Sequence, residues 1–516
     1  MWADSLRKAE IIHQNTRKTN KTYILNPSYR LRNDRHRIVL FSKSQTFEKK
    51  TQDWYTFIHP VQAVMLSFFT HDRNYGENLR LLAEYFHKDI AYMEKAISSY
   101  IQNQELIYTT WKEHTIYFSV RTLVEREETE GHLSLQQLSP DALLCGKLDL
   151  TSGRFYSGPL LLTFMLTNRC LTQCAYCYAD TSTRVRQPLS TPRILELIQE
   201  AAHLQVKHIN LMGGEVLMHP DWDIILSELV RNDMSPEFLS TKMPLIAEQI
   251  CRLRETEYRN VIQISLDACD PQILRQTLRM KESYIEEMIR SIRLLDQSGL
   301  PYQVSSVLTT YNCNRRTLTD LFRFLCTLEH LTDWRINPVS NSITADYQEF
   351  SRLKAPREEI EVIFAYIEEF IRPAAPFPIL LNRDLLHRKF HTETNGSAHF
   401  RGAACSALNT HMFILPDGKV TICEQLYWNP RFIIGDVTRS GLAEVWNSPQ
   451  ASRLANLSRE DIQEKSHCKE CLLFDSCFRR RNRCWSDIIK AYGKECWDYP
   501  DPRCVFSPAM KNKLGY

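Results

Sequence analysis

Between residues 159 and 342 short apolar runs alternate with longer stretches in which apolar residues recur at helical spacing. The first run, residues 161–166, reads Leu-Leu-Thr-Phe-Met-Leu behind Gly158 and Pro159, so it predicts a buried strand. Further strands are predicted at 208–212, 237–240, 261–267, 302–308 and 334–339. A helix is expected to start at Ser190 or Thr191, with Pro192 in its first turn and Ile194, Leu197, Ile198 and Ala201 on its apolar face. Others are expected over 285–297, ended by Gly299, and over 318–328. Six strand–helix units in a row predict an α/β fold built on a parallel barrel, with its chemistry at the C-terminal strand ends.

The flanks read differently. Residues 1–33 are polar and basic and are expected to form a loosely held extension. Over 34–124 the pattern predicts a small domain: a strand at 38–41 with 45–50 as its hairpin partner, helices over 60–70, 77–88 and 89–106, the last capped by Asp89, and a hairpin of 107–110 against 115–118. These are the parts of a winged helix-turn-helix. Such a domain binds DNA through a helix, takes an extended peptide along a sheet edge, or serves as a structural cap. The 89–106 helix sets Glu94 and Glu105 against Lys95 and has no arginine, which favours the peptide. Residues 125–158 read as a polar linker, and 346–404 as a helical bridge broken by prolines over 373–378.

The first barrel strand runs into Cys170-Leu171-Thr172-Gln173-Cys174-Ala175-Tyr176-Cys177, a C-x3-C-x2-C array on one loop. Three thiolates there suit three irons of a 4Fe-4S cube and leave the fourth open. Zinc is the alternative, but it wants four ligands and no fourth is close by in the sequence. One strand–helix unit later stands Gly213-Gly214-Glu215: glycines that permit close backbone approach, and a carboxylate able to accept from an ammonium. With Tyr176 before the last cysteine, these elements resemble the signature of the radical SAM superfamily. The resemblance implies an open (β/α)6 partial barrel and a 4Fe-4S cluster on Cys170, Cys174 and Cys177. It implies S-adenosylmethionine (SAM) at the open iron, its amino group held by Gly213, Gly214 and Glu215, and cleavage of SAM to a 5′-deoxyadenosyl radical. It further implies ribose contacts from Ser240, Ser265 and Asp267, and Arg335 at the methionine carboxylate. A strand-end Ser or Asp equally caps the next helix. Lys242 and Arg279 are weaker candidates. Cys269 and Cys313 follow strands four and five and are open between hydrogen-atom donors and ordinary buried cysteines; Cys145, Cys251 and Cys326 read as structural.

Residues 405–516 read as a second metal-bearing domain. Pro416-Asp417-Gly418 is a hairpin turn between Cys405 and Cys423; Cys468, Cys471, Cys477, Cys484, Cys496 and Cys504 follow. Eight cysteines in about a hundred residues point to metal ligation. A zinc ribbon is the alternative. The spacing of Cys405, Gly418, Cys423, Cys468, Cys471 and Cys477 resembles the SPASM extension of radical SAM enzymes. Cys484 departs from it, with six residues rather than three after Cys477. The resemblance implies two auxiliary 4Fe-4S clusters, one on Cys405, Cys423 and Cys484, with the surplus Cys496 as its candidate fourth ligand, and one on Cys468, Cys471, Cys477 and Cys504. The run Phe478-Arg479-Arg480-Arg481-Asn482-Arg483 is open between raising a cluster's potential, contacting an acidic peptide, and a solvated loop.

Composition narrows the setting. A net charge of +3 over 516 residues gives no reason to expect nucleic acid, and no apolar run approaches bilayer length. The first residues lack the apolar core of a signal peptide. Sixteen cysteines, mostly in tight clusters, then predict a reducing cytoplasm. The expected activity is that of a radical SAM/SPASM maturase forming a thioether or carbon–carbon cross-link in a ribosomally made peptide, whose leader is held by the N-terminal domain, with flavodoxin or ferredoxin as electron donor. Two rivals stand: oxidation of a protein side chain, as in sulfatase maturation, and a winged-helix redox regulator.

Overall fold

The computed structural model describes residues 20–43, 54–129, 136–343, 347–388, 405–479 and 483–516. The chain forms two compact units that divide between Gly158 and Pro159.

In the first unit β1 (Tyr23–Leu25) pairs with β7 (Leu123–Glu125), and β2 (Tyr29–Asn33), β3 (Ile38–Ser42) and β4 (Tyr55–Ile58) form an antiparallel sheet. The hairpin is β5 (Ile107–Trp111) against β6 (His114–Phe118). Three helices, Pro60–Ser67, Tyr75–Phe86 and Ile90–Ile97, lie between β4 and β5 and share one core with the strands.

Three expectations are corrected here. Residues before 34 are not a loose extension as far as they are described: β1 and β2 are buried, and Tyr29 Oη donates to the Val120 carbonyl at 2.7 Å. The last helix keeps its Asp89 cap but stops at Ile97; one tighter turn, Ser98–Tyr100, follows, and the chain then leaves the helical path, with Ile101 extended and Gln102 left-handed (φ 52°), its amide donated to the Leu123 carbonyl. Residues 125–158 are not a mere linker, since Leu143 and Leu150 enter the core. At their far end the Tyr156 and Ser157 amides and the Ser157 hydroxyl all donate to Asp34 Oδ1 at 2.8 Å. Asp34 Oδ2 in turn receives Arg37 Nε at 3.0 Å, with both side chains fully buried, and the guanidinium sits 3.4 Å over the Phe57 ring. The expected partner strand at 45–50 lies outside the described residues; β4 occupies that place.

The second unit carries the barrel strands β8 (Leu161–Thr167), β9 (His208–Gly213), β10 (Phe238–Thr241), β11 (Val261–Ser265), β12 (Tyr302–Leu308) and β13 (Leu331–Pro338). All six expected strands form, and every pairing among them is parallel. Two additions were not expected. β14 (Ile379–Leu381), from the supposed helical bridge, adds parallel to β13. β15 (His411–Ile414), from the cysteine-rich region, adds parallel to β8, and β16 (Lys419–Thr421) and β17 (Ile433–Asp436) extend it antiparallel. Among the described residues no helix is long and apolar enough to cross a membrane.

Register divides the faces of the β10–β14 sheet. Ile262, Ile264, Val304, Leu308, Trp334 and Ile336 are buried on one. The other carries Ser240, Gln263, Ser265, Gln303, Ser305, Arg335 and Asn337, cross-linked by Gln303→Gln263 (2.8 Å), Gln263→Ser240 (3.0 Å) and Asn337→Ser305 (3.4 Å). The barrel thus presents a polar wall.

At the opposite end of β8, Leu161 is flanked in register by His208 and His411. Burial holds both imidazoles neutral, pushing His208 down to about 3 and His411 to about 4; His411 Nε2 bonds Thr163 Oγ1 at 2.9 Å. Because the folded values lie below the unfolded one, the stabilisation is full above about pH 6.5 and is lost as pH falls toward 4 and then 3. His411 alone should cost on the order of 3 kcal/mol on acidification. Denaturation followed from pH 7 to 4 should show this loss in the native chain and a flatter profile in His411→Gln.

Candidate functional site

The cysteine array leaves β8 as a loop pinned from two sides. The Gln173 and Ala175 amides donate to the Leu278 and Thr277 carbonyls at 3.0 and 2.8 Å. On the other side, the Gly214 and Glu215 amides donate to the Thr167 and Arg169 carbonyls at 2.8 and 2.7 Å. The approach is close enough to require glycine. A Cβ on Gly213 would stand 2.5 Å from the Thr167 carbonyl oxygen, and one on Gly214 would overlap the Arg169 carbonyl. Gly213 and Gly214 therefore serve the loop's backbone.

The three thiols share this loop. Thr172 Oγ1 lies 3.4 Å from Cys170 Sγ and 3.2 Å from Cys174 Sγ. All three cysteines line an open cavity of about 790 Å³, together with Thr172, Gln173, Met218, Arg279 and Glu349. Burial raises the Cys174 thiol, and pushes Cys177 up to about 11, so the thiols need positive charge nearby to ionise. Lys242 supplies it. Burial would neutralise its ammonium, but Asp267 and the three thiols outweigh that and hold it protonated. Its Nζ donates to Tyr176 Oη at 3.2 Å, and Tyr176 Oη donates to Asp267 Oδ2. Three thiols on one cavity, with a cation within electrostatic reach, can ligate three irons of a 4Fe-4S cluster and leave the fourth open. Lys242, only a weak candidate in the sequence, is the residue that joins them, and its sole sequence signal was its place just past a strand end.

The other expected SAM contacts are placed unequally. Glu215 is almost fully buried; it accepts from the Lys242 amide (2.9 Å) and the Leu217 amide (3.3 Å), and burial raises its pKa. Asp267 accepts from the Val307 amide (2.8 Å) and Tyr176, so its oxygens already serve the fold. Ser240 and Ser265 stand on the polar wall. Arg335 stands there too, in mid-strand, bonded to Asp333 at 2.9 Å. Cys269 and Cys313 do not line the cavity; burial pushes them up to about 11 and 12.

The C-terminal cysteines sort into two groups. Cys423 lies within electrostatic reach of Cys405 and Cys484. Cys504 lies within reach of Cys468, Cys471 and Cys477, and these four line one cavity with His467, Phe474, Arg483 and Asp501. Asp501 ties the groups together: its Oδ2 receives the Cys484 amide at 2.8 Å, and its carbonyl receives the Cys504 amide at 2.8 Å. Cys496, the candidate fourth ligand of the first group, is buried in the turn Lys494–Cys496 with Tyr499 as a polar neighbour.

Comparison with known proteins agrees with this geometry. Residues 164–325 match the radical SAM superfamily, and residues 405–472 match SPASM, an iron-sulfur cluster-binding domain. Mycofactocin maturase MftC of Mycobacterium tuberculosis is 25% identical over 358 residues, covering 68% of this chain and 84% of that protein. The antilisterial bacteriocin subtilosin biosynthesis protein AlbA of Bacillus subtilis is 21% identical over 310 residues, 60% of this chain and 64% of that one. The crystal structure of Streptococcus suis SuiB bound to precursor peptide SuiA superposes with a TM-score of 0.58 at 14% identity, over 94% of this chain and 99% of that chain. The two profile matches fall on the two cysteine-bearing regions just described. The chain is an enzyme of the radical SAM type that carries a SPASM domain.

Proposed function

We propose that this enzyme matures a ribosomally made precursor peptide by abstracting a hydrogen atom from it and closing a thioether or carbon–carbon cross-link. The observation that carries the reading is the shared fold with SuiB, a chain crystallised with its precursor peptide, across nearly the whole length of both. Cys170, Cys174 and Cys177 would hold the SAM-binding 4Fe-4S cluster, which with SAM supplies the 5′-deoxyadenosyl radical. Lys242 compensates the thiolates, Tyr176 and Asp267 fix Lys242, Glu215 holds the turn at Lys242, and Ser240, Ser265 and Arg335 stand along the wall where SAM or substrate would lie. Cys405, Cys423 and Cys484 would hold one auxiliary cluster, and Cys468, Cys471, Cys477 and Cys504 the other.

The first unit is the winged-helix leader-binding element in this reading. Among the described residues β5 pairs with β6 alone, and its Tyr108 is exposed, so an extended leader has a strand edge to join. The clustered cysteines suit a reducing cytoplasm with a flavodoxin or ferredoxin as electron donor.

The test is anaerobic reconstitution with SAM, a reductant and the short peptide encoded beside the gene. The expected result is 5′-deoxyadenosine together with a peptide lighter by a pair of hydrogens. Peptide unchanged while 5′-deoxyadenosine forms would refute the substrate; no 5′-deoxyadenosine would refute the chemistry.

A further inference from the structure

Arg483 stands immediately before Cys484, in the stretch lengthened from the three residues of the SPASM pattern to six. It is 6% exposed. Its guanidinium lies 4.8 Å over the Phe478 ring and turns Nη2 toward Cys468 Sγ at 3.5 Å. Nε and Nη1 are buried with no partner among the described residues. The carboxylate that lines the same cavity is already spent: Asp501 pairs with Arg503 at 2.7 Å and takes the Cys484 amide. Asp475, on the preceding helix, faces Arg459 at 3.8 Å. A buried guanidinium with two idle donors is strongly unfavourable unless something anionic meets it. Four cysteines line the cavity it faces.

We infer that Arg483 is the charge-compensating, hydrogen-bonding partner of the auxiliary cluster on Cys468, Cys471, Cys477 and Cys504, and that it sets that cluster's reduction potential. The inference rests on the ligand assignment above. A four-thiolate cluster is anionic and gains a further negative charge on reduction. A fixed cation that donates to its sulfurs therefore favours the reduced form and raises the potential. The longer spacing is the means: it returns the chain to Cys484 with an arginine aimed back at the other group.

The full-length, anaerobically reconstituted protein tests this by two readouts. With arginine labelled by 15N in the guanidinium, pulsed EPR of the reduced auxiliary cluster should show a nitrogen coupling in the native chain. The signal is assigned by its loss in Cys468→Ala. Redox titration of Arg483→Gln should give a lower midpoint, by at least tenfold in the one-electron equilibrium, or about 59 mV. Arg483→Lys, which keeps the charge, should recover part of that shift. A fully loaded native chain without 15N coupling, or a loaded Arg483→Gln with an unchanged midpoint, overturns the inference. If Arg483→Gln loses iron, the native coupling decides alone. Unchanged iron content in Cys468→Ala would instead refute the ligand assignment.

Discussion

Gly214→Ala should abolish SAM cleavage while leaving most of the protein intact. Its Cβ would stand 2.5 Å from the Arg169 carbonyl carbon and 2.9 Å from the Asn168 carbonyl oxygen, well inside van der Waals contact. Both obstacles are backbone. Neither can rotate away, because the same stretch is bonded to the Gly214 and Glu215 amides. The cysteine loop itself must therefore move, against its second anchor at the Thr277 and Leu278 carbonyls. A displacement near 1 Å at a reacting centre costs on the order of a hundredfold in rate, and overpacking costs a further ~1–3 kcal/mol of stability. The expected outcome is a hundredfold or larger loss of 5′-deoxyadenosine with the SPASM clusters still loaded, read by product assay and iron analysis. Gly146→Ala is the matched control, since nothing lies within 4 Å of its Cβ. A native rate in Gly214→Ala would show that the glycine is not what seats the loop.

The second large effect belongs to the first unit. Asp34→Ala leaves the fully buried Arg37 guanidinium without its counter-ion and strips three hydrogen bonds from Tyr156 and Ser157. Breaking a buried pair from one side costs about 3–5 kcal/mol. Because the chain has two units, a single unfolding midpoint would blur the loss, so hydrogen exchange is the better measure. Amides of β2 and β3 should lose protection by roughly a hundredfold or more. Replacing both members, Asp34→Ala with Arg37→Met, should restore much of it, since no charge is then stranded. SAM cleavage without peptide should persist in the single variant while peptide modification falls. Unchanged protection would mean that the pair is not what closes this unit.

How much was legible beforehand follows from what each signal depends on. The barrel strands, the cysteine loop and Gly-Gly-Glu were readable because each is local: a bounded apolar run, a spacing, a tripeptide. Strand β14 was not, because Ile379–Leu381 is three residues long behind a proline-rich break and becomes a strand only by pairing with Trp334, Arg335 and Ile336. The join of β15 to β8 hid for the same reason, being a contact across some 250 residues of sequence. Lys242, Tyr176 and Asp267 follow three different strands, so only the folded chain makes them one group.

The parallel seating of β15 on β8 makes the barrel incomplete without its C-terminal tail. Phe413 and Ile414 face Thr163 and Phe164 in register, and the Leu160 and Leu161 amides both donate to the Thr410 carbonyl, at 2.8 and 2.9 Å. Cut away at residue 404, the strand that carries the cysteine loop becomes a bare edge, open to any neighbouring chain. The cysteine loop keeps its own anchors at Gly214, Glu215, Thr277 and Leu278, but the strand that leads into it has both edges covered only once residues 410–414 have been made.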